Sequence, residues 1–117
     1  MESQETKRAI DTDFLRDVVA NDAEFKKELL EIFSENAAKN INKMQAAIDA
    51  EDKDAWYMAS HSFKGASASI GAFDLSKKLE YAQKHPEENA EEKTRTLGEV
   101  KAELELVSQF IEKEKNK

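Results

Sequence analysis

The fold of this chain is decided by residues 55–71, which read AWYMASHSFKGASASIG. In an α-helix each residue advances about 100° around the axis, so positions three, four and seven apart share one side. The larger apolar residues of this stretch recur at that spacing, which predicts an amphipathic helix that ends near Ile70. Its buried stripe consists of Trp56, Ala59, Ser60, Phe63, Ser67 and Ile70.

The opposite side of this predicted helix carries one histidine with open space around it. His61, Lys64, Gly65 and Ala68 gather in a sector centred about 150° from the buried stripe. Glycine inside a helix costs about 1 kcal/mol relative to alanine, so Gly65 indicates that something large approaches the imidazole. Most solvent-facing histidines are ordinary surface residues, and on spacing alone that interpretation of His61 stays open.

The composition favours one small helical domain. The chain has 117 residues, 37% charged and 39% apolar, with three glycines and one proline. A net charge of -7 argues against nucleic-acid binding, which needs clustered basic residues. There is no cysteine, no signal-peptide pattern and no apolar run near the ~18 residues that span a bilayer. We therefore expect a soluble, cytoplasmic protein without a membrane segment, and a monomer.

The pattern of caps and apolar positions predicts an all-α fold, an up-and-down four-helix bundle with a short additional N-terminal helix. The expected domain spans residues 11–112, between a flexible segment 1–10 and a frayed C-terminus 113–117. Leu106 and Phe110 lie off the apolar stripe of the last helix. The predicted helices run from Asp11 or Thr12 to Val19, from Asn21 to about Ala50, from Ala55 to about Ile70 before Gly71, from about Asp74 to before His85, and from Asn89 onward.

The long second helix has a capping-box pattern at Asn21–Glu24. Its apolar residues are spaced by three, four or one, which predicts a single broad buried face. The predicted face consists of Phe25, Leu29, Ile32, Phe33, Ala37, Ile41, Met44 and Ile48.

The residue types permit nucleophilic chemistry at His61 and little else. A neutral imidazole nitrogen can attack phosphorus, and Lys64 would place a positive charge near the phosphoryl oxygens while disfavouring protonation of the ring. No glycine-rich phosphate loop, hydrolytic triad or histidine pair at metal-ligand spacing is present. His85 precedes Pro86 and is interpreted as a surface loop residue. We therefore expect no autonomous kinase or hydrolase activity, no cofactor and no metal site.

Three segments resemble the signature of histidine-containing phosphotransfer (HPt) domains of two-component phosphorelays. They are residues 61–65 (HSFKG), 67–72 (SASIGA) and 79–80 (LE). The core pattern, His-x-x-Lys-Gly with a second glycine six residues after the first, is short but specific. The order of helices resembles the family over the rest of the chain. Two departures are Ser60 and Phe63, where many members have alanine and leucine, and both lie on the predicted buried side.

The resemblance implies a role for each matching residue. His61 would carry the phosphoryl group on Nε2, Lys64 would assist electrostatically, and Gly65 and Ala68 would leave room for a partner. The implied partners are response-regulator receiver domains, with a hybrid histidine kinase as a further candidate. Mg²⁺ is expected on the receiver, because this chain shows no carboxylate cluster near His61.

Docking and function leave alternatives. Tyr57, one turn before His61, is the first docking candidate, although it is equally compatible with a partly buried bundle position; Phe14 and Leu15 are weaker candidates.

The expected function is relay of a phosphoryl group between receiver aspartates through His61. One alternative is the phospho-accepting domain of a chemotaxis-type histidine kinase. The other is a non-catalytic helical adaptor that docks receiver domains.

Overall fold

A computed structural model describes residues 9–116 and shows five α-helices in that range, with no strand among them. The helices pack as a bundle in which α3 lies between α2 and α4, and α5 closes the ring against the same two helices, while α1 contacts α2. This confirms the all-α prediction, a four-helix bundle with a short leading helix. The helices are α1 (Thr12–Val19), α2 (Ala23–Ala50), α3 (Lys53–Ser69), α4 (Phe73–Lys84) and α5 (Ala90–Lys115).

Side-chain caps define where four of the helices begin. Asp11, Asp22, Asp52 and Asn89 each accept a hydrogen bond from the backbone N–H three residues later, at 2.8 to 3.0 Å. The cap of α2 is therefore Asp22 and not the predicted Asn21, which instead has φ of +64° in the preceding turn. Helix α3 starts two residues earlier than predicted, because Asp52 caps it.

The core is built around the buried stripe of α3. Trp56 and Phe63 are fully buried, and the Trp56 indole N–H donates a 2.8 Å hydrogen bond to the carbonyl of Ala82 on α4. The ring of Phe63 lies 6.3 Å from that of Phe33 on α2. These contacts fix the rotation of α3 in the bundle, so its opposite side must face solvent.

The predicted buried face of α2 is wrong at Phe25 and Ile32. They are 42% and 56% exposed, whereas Leu30 is buried. A helix presents only a limited sector to its neighbours, and the buried positions of α2 follow the spacing of Leu30 and Phe33, which leaves Ile32 about 100° to one side. In α5, Leu106 and Phe110 lie off the predicted apolar stripe but do not form an exposed apolar edge: Phe110 is 5% exposed and Leu106 is half-buried.

Gly71 ends α3 with a φ of +82°, which confirms the predicted stop. Its carbonyl accepts a 2.9 Å hydrogen bond from the backbone N–H of Asp11, the cap of α1. A Cβ on Gly71 would lie 3.0 Å from the Asp11 carbonyl oxygen and 3.1 Å from Cδ1 of Phe14. The end of the histidine helix and the start of α1 therefore meet at a position that suits only glycine.

The two ends of the chain have different surroundings. Residues 1–8 of the predicted flexible segment lie outside the described residues, and Ala9 and Ile10 are buried. At the other end Lys26 of α2 pairs with Glu114 of α5 at 2.6 Å. The domain limits and the flexibility of either end stay predictions.

Within residues 9–116, every helix is too short or too polar to cross a bilayer.

Candidate functional site

The imidazole of His61 is exposed on α3 and faces one side chain of α4. Its Nδ1 lies 3.4 Å from Oε1 of Gln83. Because an amide oxygen can only accept a hydrogen bond, this contact suits the tautomer with the proton on Nδ1, in which the lone pair of the neutral ring is on Nε2. In that tautomer the atom that the resemblance assigns to phosphorylation carries the lone pair.

Tyr57 and Gln83 complete a three-residue network around His61. The ring of Tyr57 stacks nearly parallel to the imidazole, with centroids 6.0 Å apart and 4° between the planes. Nε2 of Gln83 donates to the Tyr57 hydroxyl at 3.3 Å. Gln83 was absent from the sequence-based candidates, since it lies 22 residues from His61 on another helix and belongs to no local pattern.

The floor beside the imidazole is open. A Cβ added to Gly65 would meet no atom within 4 Å, and Ala68, one turn further, is half-buried. Lys64 is also half-buried, and its side chain forms no ion pair within the described part of the chain. The structure therefore places His61, Lys64, Gly65 and Ala68 on the solvent-facing side of α3.

Both departures from the resemblance lie on the buried side, as predicted. Ser60 and Phe63 are 0% exposed. The hydroxyl of Ser60 has no hydrogen-bond partner within residues 9–116, an arrangement that costs about 1 to 3 kcal/mol. Neither residue changes the surface around His61.

Helix α1 adds apolar surface close to the end of α3, but not through both predicted residues. Phe14 is 36% exposed and packs edge-on against Phe73 at 5.1 Å. Leu15 is 2% exposed, so its assignment to docking is wrong. Phe14 and Leu15 are adjacent in the sequence, and the apolar spacing does not show which of them is buried. In the structure the packing of α1 on α2 buries Leu15.

Further exposed apolar residues lie on the helices that carry or flank the histidine. Ile32 of α2 and Met58 of α3 are 56% and 66% exposed, and Val18 of α1 is 39% exposed. Met58 precedes His61 by three residues and lines a groove between α2 and α3. Met58 therefore adds to the helix of His61 an exposed apolar side chain that the sequence analysis did not single out.

His85 sits in a different environment from His61. It is the C-cap of α4, and its Nδ1 donates a 2.7 Å hydrogen bond to the carbonyl of Tyr81 in its own helix. The Tyr81 ring stacks on it at 4.1 Å. The hydrogen bond from the Tyr81 hydroxyl to the carboxylate of Glu88, at 2.9 Å, raises the pKa of Tyr81. This arrangement gives His85 a structural role at the end of a helix.

Within the described residues no group of three or more His, Asp or Glu side chains could hold a metal ion.

The comparison with known families agrees with this geometry. A search of curated proteins and a search of solved structures each return no match. The family model for the Hpt domain matches residues 28–110, which include every helix of the bundle from most of α2 to most of α5. The chain belongs to the Hpt domain family.

Proposed function

We propose that this protein relays a phosphoryl group between the aspartates of response-regulator receiver domains, through a phosphohistidine at Nε2 of His61. The observation that carries the proposal is the exposed imidazole whose Nδ1 faces the amide oxygen of Gln83. Membership of the Hpt family supports a phosphotransfer role in two-component signalling. The relay between receivers is the more specific claim that requires a test.

The proposed transfer needs only the lone pair of the ring. Nε2 of His61 attacks the phosphorus of an aspartyl phosphate; an N–P bond forms, the P–O bond to the aspartate breaks, and its electron pair leaves with the carboxylate. The ring becomes a phosphoimidazolium whose Nδ1–H donates to Gln83. In the reverse direction the same hydrogen bond keeps the proton on Nδ1 of the phosphorylated ring. The ring then leaves as neutral imidazole, which is a better leaving group than the imidazolate anion.

Much of the electrostatic stabilisation would come from the partner. Lys64 supplies one positive charge toward the phosphoryl oxygens. Mg²⁺ is proposed to arrive on the receiver, whose carboxylates suit that ion. The chain would thus act as a carrier that depends on its partner and has no kinase or hydrolase activity of its own.

The proposed docking surface consists of the open floor at Gly65 and Ala68 together with exposed apolar side chains. Tyr57 is 41% exposed beside His61, and Phe14 extends the surface onto α1. A receiver domain, free or within a hybrid histidine kinase, is the proposed occupant. We propose that the protein acts as a monomer in the cytoplasm, where a chain without cysteine needs no oxidising compartment.

Two other functions share parts of this site. In a chemotaxis-type kinase the same histidine would receive its phosphoryl group from ATP bound to a separate catalytic domain. A non-catalytic adaptor would need the docking surface alone. The contact between Gln83 and Nδ1 of His61, which suits the nucleophilic tautomer, favours a carrier over an adaptor, because docking does not depend on which ring nitrogen holds the proton.

The test uses a receiver domain phosphorylated with labelled phosphate and Mg²⁺. The protein is expected to acquire label that is lost in acid, survives base, and maps by mass spectrometry to residue 61. A second receiver added afterwards should remove that label. If no receiver in a broad panel transfers label, or if the label maps elsewhere, the relay proposal fails.

Lys64→Ala is expected to slow transfer while leaving the protein folded. Removal of one positive charge near the phosphoryl group, at a site that water still reaches, should lower the single-turnover rate constant about tenfold. Lys101→Ala is the matched control: it removes an exposed lysine from α5, which packs on α2 and α4. Equal rate constants for the two variants would remove Lys64 from the mechanism.

A further inference from the structure

We infer that Tyr57 is a positioning residue whose hydroxyl sets the orientation of the Gln83 amide and, through it, the tautomer of His61. The inference rests on the proposed function and adds a residue that determines which ring nitrogen of His61 is protonated. It follows from the chain of contacts that links the Tyr57 hydroxyl to Gln83 at 3.3 Å and Gln83 to Nδ1 of His61 at 3.4 Å.

The network has two self-consistent arrangements because a carboxamide has one accepting and one donating end. In the arrangement observed, the Tyr57 hydroxyl accepts from Nε2 of Gln83, and Oε1 accepts from Nδ1–H of His61. If the amide turned over, the hydroxyl would donate to Oε1, and Nε2 of Gln83 would donate to an unprotonated Nδ1. The proton of His61 would then be on its own Nε2, and the lone pair needed for phosphoryl transfer would be lost.

The role of the Tyr57 hydroxyl toward Gln83 differs between the two arrangements: it accepts a hydrogen bond in the observed one and donates one in the other. In the observed one its own proton is directed to no acceptor within the described residues, and its side chain is 41% exposed on the proposed docking surface. A carboxylate or carbonyl oxygen of a docked receiver could accept that proton, which would favour the nucleophilic arrangement. Docking and activation of the imidazole would thus be coupled through a single hydroxyl.

The first experiment is ¹⁵N NMR of the imidazole in the free, unphosphorylated protein at about pH 8.5, where an ordinary histidine is neutral. The wild type is expected to show mainly the Nδ1–H tautomer of His61. Tyr57→Phe keeps the stacked ring but removes the hydroxyl, so the population should shift toward the Nε2–H tautomer that histidine prefers in water. Tyr81→Phe is the matched control, since Tyr81 precedes His85 by the same four residues; it should leave His61 unchanged.

A second variant keeps the inference falsifiable if the shift has another cause. Gln83→Glu places a carboxylate, which only accepts, on Nδ1–H in either orientation. In that background Tyr57→Phe should no longer change the tautomer. An unchanged tautomer in the single Tyr57→Phe variant overturns the inference, and so does an equal shift in both backgrounds.

Transfer kinetics separate positioning from docking. Tyr57→Phe should lower the maximal single-turnover rate constant about threefold to tenfold, and the lost hydrogen bond to the receiver should also raise the half-saturating receiver concentration. A raised half-saturating concentration with an unchanged maximal rate constant would assign the hydroxyl to docking alone and overturn the inference. The NMR measurement needs no receiver and tests the effect of Tyr57 on the tautomer, whereas the labelling of residue 61 tests the relay. Failure of the inference is therefore distinguishable from failure of the proposed function.

Discussion

His61→Gln protein is expected to take up no phosphoryl label from any phosphorylated receiver that labels the wild type. Glutamine has no nucleophilic nitrogen, because its amide lone pair is delocalised into the carbonyl. The other histidine of the sequence, His85, lies at the end of α4 and stacks on Tyr81, without the lysine and glycine that follow His61 at three and four residues. Loss should therefore be complete within the detection limit of single-turnover labelling.

The control for this variant is His85→Gln, which removes the only other histidine in the sequence. It should be labelled at the wild-type rate. Because the imidazole of His61 is exposed, its replacement should change the free energy of unfolding by no more than about 0.5 kcal/mol, as urea denaturation can verify. Residual label on His61→Gln would place the phospho-acceptor elsewhere and contradict the proposed mechanism.

Leucine in place of Gly65 is expected to stabilise the protein and to block transfer. Gly65 is exposed inside α3 and an added Cβ meets no atom within 4 Å, so a good helix former should raise the free energy of unfolding by roughly 0.5 to 1 kcal/mol. The same side chain would fill the floor beside His61. A displacement of the reacting phosphorus by about 1 Å costs on the order of a hundredfold in rate, and we expect a loss of at least that size.

Gly98→Leu is the matched control, since Gly98 is also exposed inside a long helix, α5, with open space where a Cβ would lie. It should gain the same stability and transfer at the wild-type rate. Denaturant titration and single-turnover labelling of the two proteins provide the comparison. If both variants transfer normally, the open floor at Gly65 has no part in receiver docking.

The sequence predicted the fold well because the determining information is local. Helix starts are encoded by single side chains such as Asp11 and Asn89, and the end of α3 by Gly71, whose positive φ other residues rarely adopt. The spacing of Trp56 and Phe63 was enough to place His61 on the opposite, exposed side of the same helix. Each of these inferences involves residues within one or two helical turns.

The errors have the opposite origin. Burial of Leu15 and exposure of Ile32 depend on how α1 and α2 are rotated against their neighbours, which periodicity defines only to within about one residue. Gln83 was missed because its contact with His61 joins two helices. The network around Nδ1 is a product of packing between α3 and α4, and no motif within either helix encodes it.

Gly71 has a consequence for how this protein could change its partners. Its carbonyl holds Asp11, and its missing Cβ makes room for Phe14, so the leading helix is fixed to the end of the helix that carries His61. A rotation of α1 would break the hydrogen bond between Asp11 and Gly71 and the close approach of Phe14 to Gly71. New receiver preferences would therefore arise by exchange of side chains on α1, such as Phe14, and not by reorientation of the helix itself.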